Sequence, residues 1–174
     1  YAEAESGKNF DKSLKAIEER YNEIIKGLGL KLSLKEQCET IKKNFEALAG
    51  KDYAASRGEY LNGIIMANYL GYEFIDAATV ICFDKNGEFD SEKTKSLCEA
   101  RFAKSERAVV PGFYGAMPNG KVKTFSRGGS DVTGSIVARA LKADMYENWT
   151  DVSGFMAADP RIVDNAKPIT VITY

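Results

Sequence analysis

The sequence predicts an α/β fold in which helices are layered on a mostly parallel sheet. Two observations predict it. Amphipathic helical patterns fill the first seventy residues, and beyond Gly71 short apolar runs alternate with helical ones. The chain has 174 residues, about one domain, with 44% hydrophobic and 28% charged residues. That supply of apolar side chains supports a real core and excludes a disordered chain.

Residues 9–28 read as a helix, because Phe10, Leu14, Ile17, Tyr21, Ile24 and Leu28 recur at steps of three and four. Gly27 and Gly29 supply its stop signal. A second helix is predicted over 34–48, with a stripe at Leu34, Cys38, Ile41, Phe45 and Leu48, a Ser33/Glu36 capping box, and Gly50 as its end. A third covers 52–70 and carries Tyr53, Leu61, Ile64, Ile65 and Leu70. It contains Ser56-Arg57-Gly58-Glu59, where a helical glycine costs about 1 kcal/mol against alanine and suggests close approach of another group.

Residues 74–83 are apolar and β-branched and predict one or two buried strands. Asp84-Lys85-Asn86-Gly87 is a turn, and 91–104 a short helix with Leu97, Cys98 and Phe102 inward. Residues 108–110 form a strand closed by Pro111-Gly112. Asn119-Gly120 marks a hairpin. A glycine-rich loop leads to a helix over 131–142, and strands are expected at 145–149 and 168–173.

Composition narrows the function. Lys plus Arg is 24 and Asp plus Glu 25, so the net charge is −1 and nucleic acid is not an expected partner. No apolar run approaches the roughly 18 residues of a membrane helix, so no membrane is expected either. Histidine is absent, which excludes histidine triads and histidine metal sites. Cys38, Cys82 and Cys98 form no close pair and suit a reducing cytoplasm as small apolar fillers. The start at Tyr1 suggests a processed, cut or partial chain.

The strongest local motif is Thr124-Phe125-Ser126-Arg127-Gly128-Gly129-Ser130-Asp131. Its glycines let the backbone present N–H groups, the following helix adds its positive end, and Arg127 adds a fork for carboxylate or phosphate. A tight strand-to-helix turn with Ser130 or Asp131 as N-cap fits the same pattern. Trp149-Thr150-Asp151-Val152-Ser153-Gly154, with Asp159-Pro160-Arg161, is a polar loop after an expected strand. Such loops hold ligands in open α/β sheets, although an Asx turn at Asp151 also accounts for it. Three weaker patterns yield to plainer readings. Residues 115–121 spell GxxxxGK, but Val122 stands where a P-loop needs Ser or Thr. Asn148-Trp149-Thr150 is a chance sequon, and Asp84, Asn86 and Asp90 fall short of a calcium loop.

Taken together, TFSRGGSD (124–131), WTDVSG (149–154) and ADPRIV (158–163) resemble the signature blocks of the aspartate kinases, in order and spacing. SRGE (56–59) and VPGFY (110–114) resemble two further elements, so the likeness spans most of 53–174. It implies the three-layer αβα amino acid kinase fold, carbamate kinase-like, with a mostly parallel central sheet, here incomplete at both ends. The implied activity is transfer of the ATP γ-phosphoryl group to the side-chain carboxylate of L-aspartate, which opens the route to lysine, threonine and methionine. The implied ligands are L-aspartate, ATP and Mg2+ held mainly by the nucleotide. A cytoplasmic, homo-oligomeric parent is expected.

The resemblance also assigns roles. Glu59 pairs with the substrate ammonium and Arg127 clamps its α-carboxylate. Gly128, Gly129 and Ser130 offer donors, and Asp131 sits beside the reacting centre and holds a lysine in place. Thr150, Asp151 and Met156 meet the nucleotide, and Arg161 reaches its phosphates. Positioning and charge neutralisation supply most of the rate in phosphoryl transfer. There are departures. The family's Lys-Phe-Gly-Gly strand and Gly-x-Lys-Val segment are not found, Met156 replaces a frequent tyrosine, and Arg57 a frequent aromatic residue. Residues 1–174 are therefore expected to be an internal part of the catalytic domain, without regulatory ACT domains, and inactive alone for want of the neutralising lysine. The alternatives are a kinase for glutamate, acetylglutamate or a nucleotide, and a non-catalytic binding or assembly module.

Overall fold

Leu34, Cys38, Ile41 and Phe45 form the buried stripe of a helical subassembly, packed against Ile25, Leu61 and Ile65. The computed structural model describes residues 1–126, 128–149, 154, 156–159 and 161–169. The helices involved are α1 (Ala2–Glu5), α2 (Asp11–Gly27), α3 (Lys35–Glu46) and α4 (Lys51–Leu70). The end of α2 is closed by Gly29, at φ 67°. The Leu30 N–H donates to the Ile25 carbonyl and that of Gly29 to the Lys26 carbonyl, both at 3.0 Å.

Two expectations at α3 are corrected. The Ser33/Glu36 capping box does not form: Leu34 takes the N-cap position, and Ser33 Oγ only accepts from the Lys35 N–H at 3.4 Å. Burial of Leu34 to 2% exposure fixes where the helix starts. The helix also stops before Leu48, which adopts φ 53° and is exposed. A leucine there does the work usual for glycine, with the Ala49 N–H donating to the Asn44 carbonyl at 2.9 Å.

The predicted strands at 74–83 are mostly replaced. Strand β1 (Glu73–Phe74) is followed by a 3-10 turn at Ala77–Thr79, because the Asp76 carboxylate accepts from the Ala78 N–H at 3.0 Å and draws the backbone out of a ladder. Burial is as expected, with Ile75, Ala77, Val80, Ile81 and Phe83 in a second core cluster. The Asp84 turn forms, its Oδ1 accepting from the Asn86 and Glu88 N–H groups at 2.8 Å.

Helix α5 (Ser91–Phe102), capped by Asp90 Oδ1 on the Lys93 N–H, crosses to β2 (Ala108–Val109). β1 and β2 are parallel, with Glu73 opposite Ala108 and Phe74 opposite Val109. β3 (Tyr114–Ala116) and β4 (Val122–Thr124) form the antiparallel hairpin that Asn119-Gly120 announced. Cys82 bridges Ala116 in parallel, so the chain after the 3-10 turn lies along β3. The parallel pairing among the described residues is thus the β1–β2 pair and this bridge.

α4 packs against β1, β2 and β4, and Thr124 Oγ1 donates to Asp52 Oδ1 at 2.8 Å to fasten β4 to it. α6 (Gly129–Ala140) packs against α5 and begins two residues earlier than the pattern suggested. Its N-cap is Gly128 at φ 59°, so Ser130 and Asp131 belong to the first turn and neither caps. Residues 145–149 form no strand; Met145 and Trp149 are exposed and bury nothing that a ladder could secure. In the last predicted strand Pro168 bridges Met156, and 170–173 lie outside the described residues.

Candidate functional site

A cleft of about 460 Å3 opens at the carboxyl end of β2. Its walls are Glu59 and Asn62 of α4, the segment 110–112 leaving β2, and Ser130 and Thr133 of α6. This is where α/β sheets hold ligands, since helices and connecting loops converge beyond the strand ends.

Each wall has a physical cause. In α4, Ser56, Arg57, Leu61, Gly63 and Ile65 are buried while Glu59 and Asn62, one turn apart, are exposed to the cleft. The Tyr21 hydroxyl donates to the Gly58 carbonyl at 2.9 Å and stands near Glu59. Burial, and then the Glu59 charge, push the Tyr21 phenol upward, so it remains a neutral donor.

The start of α6 is bolted to the chain after β2. The Phe113 N–H donates to Thr133 Oγ1 at 3.0 Å, and that hydroxyl donates to the Gly129 carbonyl at 2.7 Å. No side chain fits between them: a Cβ on Gly129 would lie 2.6 Å from Phe113 Cβ, and one on Gly112 would lie 3.0 Å from Ser130 Oγ. Phe113 itself takes φ 61°, a strained left-handed conformation held by these contacts. The positive end of α6 therefore faces the cleft wall that carries Ser130, opposite a carboxylate on α4. Such a pair suits a small ligand bearing both a cation and an anion.

Of the residues expected at the site, Glu59 and Ser130 share this cleft, and Gly128, Gly129 and Asp131 flank Ser130 at the α6 start. Asp131 is exposed, and the Tyr146 hydroxyl donates to its carbonyl at 3.4 Å. Met156 is half-buried in its bridge to Pro168. Arg161 forks onto Asp159, with Nη2 2.8 Å from Oδ2, and neither it nor Met156 lines the cleft. That fork holds the Asp159 carboxyl below its ordinary value. Arg127, Thr150 and Asp151 lie outside the described residues.

Two features went unread in the sequence. Asn62 joins the cleft, a position signalled only by its spacing from Glu59. Arg57 is buried at 8% exposure, its guanidinium carbon 4.5 Å from the Tyr53 and Tyr60 ring centroids and 5.3 Å from that of Tyr114. Beside it the Tyr114 hydroxyl donates to Asp76 Oδ1 at 2.7 Å, and burial together with that carboxylate drives its ionisation far upward. A larger hollow of about 630 Å3, between α2, α3 and α4, is walled mainly by apolar side chains such as Leu14, Ile24, Ile41 and Leu61, with Arg20 and Arg57 also in its lining. Among the described residues, no group of three or more carboxylates or thiols could hold a metal ion, and no helix is long and apolar enough to cross a membrane.

Fold and cleft together define an α/β protein with a cleft of mixed polar and apolar lining beyond the end of a parallel strand. The chain belongs to the amino acid kinase family, whose model matches residues 6–174. It is 35% identical over 131 residues to aspartokinase 3 of Bacillus subtilis, covering 71% of this chain and 29% of that protein. Among solved structures it is similar to the aspartate kinase of Clostridium acetobutylicum, with a TM-score of 0.87 and 55% identity over 96% of this chain and 38% of that one. It is also similar to E. coli aspartokinase III in complex with aspartate and ADP, with a TM-score of 0.73 and 27% identity over 91% of this chain and 40% of that one. The chain spans about a third of the length of these relatives.

Proposed function

We propose that this chain is part of the catalytic domain of a protein that transfers the γ-phosphoryl group of ATP to the side-chain carboxylate of L-aspartate. The products are 4-phospho-L-aspartate and ADP. One observation carries the reading: Glu59 and Ser130, far apart in sequence, face one cleft at the end of β2. The aspartokinase names of its relatives, and the aspartate and ADP held by the E. coli structure, support it.

In this reading Glu59 pairs with the substrate ammonium, while Arg127 clamps the α-carboxylate through a bidentate fork. The N–H groups of Gly128, Gly129 and Ser130, at the positive end of α6, surround the substrate. An oxygen of the side-chain carboxylate attacks the γ-phosphorus, and the bond to the β–γ bridging oxygen breaks with its electron pair leaving on ADP. Asp131 stands beside that centre and positions a lysine. Thr150, Asp151 and Met156 contact the nucleotide, and Arg161 leaves Asp159 for the phosphates. Mg2+ would be held mainly by the nucleotide and would supply charge neutralisation there; among the described residues there is no carboxylate cluster to hold it independently.

The test is trapping of the acyl phosphate as a hydroxamate, using the whole protein that carries this chain. ATP is supplied with L-aspartate, L-glutamate or N-acetyl-L-glutamate in parallel. Product with aspartate alone is expected. Product with another acceptor and none with aspartate would overturn the substrate assignment.

A further inference from the structure

Behind α4, on the side away from the cleft, a second hollow of about 170 Å3 lies in the crevice between α3 and α4. It is well below the roughly 300–1,000 Å3 of drug-sized pockets, so it suits a molecule of a few heavy atoms. One side is cationic. Arg57 lines it, as it does the larger hollow, with Nε donating to the Tyr53 carbonyl at 3.3 Å and to Ser56 Oγ at 3.1 Å, and Nη2 donating to Ser56 Oγ at 2.9 Å. Of its five N–H groups, those on Nη1 have no acceptor among the described residues. Nor does any described carboxylate pair with it; its charge is met by the rings of Tyr53, Tyr60 and Tyr114. A cation taken from water and left with open donors calls for an anionic acceptor.

The opposite side has the reverse character. Gln37 lines the same hollow, and its Oε1 is buried with no hydrogen-bond partner among the described residues. The Glu36 carboxylate lines it too and joins none of the ion pairs among the described residues. These are acceptors waiting for a charged donor. A simple anion would satisfy Arg57 but would be repelled by Glu36 and leave Gln37 unmet. An ammonium alone would do the reverse.

We propose that this hollow binds a small zwitterionic α-amino acid, its carboxylate on Arg57 and its ammonium towards Gln37 and Glu36. The rings of Tyr53 and Tyr60 wall the space left for a short side chain. Because Arg57 and Glu59 are two residues apart on one helix, they point to different sides of α4, and this site is separate from the cleft.

Calorimetric titration of the protein with L-alanine, acetate and methylammonium tests the proposal. Glu59→Ala removes the cleft's carboxylate, and Arg57→Met and Gln37→Met each remove one half of the second site. L-alanine is expected to bind the wild type and Glu59→Ala equally. Acetate and methylammonium should bind at least about tenfold more weakly, and both Arg57→Met and Gln37→Met should lose about tenfold or more in affinity. Gln37 is only partly buried, so its variant decides the matter even where Arg57→Met fails to fold. Absence of L-alanine binding, its loss in Glu59→Ala, or acetate binding as tightly as L-alanine would each overturn the proposal. Failure of the aspartate kinase assay leaves these outcomes unchanged.

Discussion

The hydroxyl of Tyr21 donates a 2.9 Å hydrogen bond to the carbonyl of Gly58, the residue before the carboxylate that faces the cleft. Tyr21→Phe removes this tie between α2 and α4 while keeping the ring. A loss of about 1 kcal/mol in unfolding free energy is expected, the net worth of an ordinary hydrogen bond. Urea denaturation followed by circular dichroism measures it, and an unchanged midpoint would show that the bond contributes nothing.

Gly129→Ala should destabilise by about 1–3 kcal/mol, because the new methyl would meet Phe113 backbone and Cβ atoms that have nowhere to go. Gly27→Ala is the matched control. Nothing lies within 4 Å of a Cβ there and its backbone is helical, so a gain of up to about 1 kcal/mol is expected. Thermal melts of the two variants should move in opposite directions.

Tyr114→Phe leaves Asp76 Oδ1 with the Ala78 N–H alone, inside a buried cluster. A hydrogen bond to a charged group is worth about 1.5–3 kcal/mol, and a loss in that range is expected. The wild-type phenol should also stay protonated while the protein remains folded, so its ultraviolet ionisation signal should appear only on alkaline unfolding.

Glu73 accepts from Arg101 and Ser105, which ties β1 to the end of α5 and holds its carboxyl below the ordinary 4.5. A depressed carboxyl stabilises the fold above its unfolded-state pKa, and that contribution disappears as pH falls through the folded-state value. Glu73→Gln should therefore be less stable than wild type at neutral pH and indistinguishable from it well below pH 4.5. A difference that persists in strong acid would refute the electrostatic origin.

In the whole protein, Glu59→Gln should raise the aspartate KM by about tenfold or more, with a smaller effect on kcat. On the proposed assignment it removes the charge that pairs with the substrate ammonium without touching the reacting carboxylate. Steady-state kinetics in the acyl-hydroxamate assay provide both constants.

What could be read ahead of the structure follows the range of the forces involved. The helices were legible because Leu34, Cys38, Ile41 and Phe45 repeat a periodicity that burial enforces. The hairpin was legible because Asn119-Gly120 encodes its turn locally. The Ser33 cap was misread because a buried leucine next to it outweighs one weak hydrogen bond. The run 74–83 was misread as strand because the competing Asp76 turn depends on one side chain within an otherwise β-favouring segment. Glu59 and Ser130 could be paired only through the family likeness, since nothing local links two helices so far apart. The burial of Arg57 was not legible because a charged residue in a helix ordinarily faces water, and one of the three rings that enclose it, Tyr114, comes from a distant part of the chain.

Tyr60 packs against both apolar clusters, the one among the N-terminal helices and the one beneath the strands. A ring claimed by two neighbourhoods cannot lose one of them quietly. Scanning calorimetry should accordingly record a single endotherm rather than two, and trimming Tyr60 to alanine should be the change that splits it.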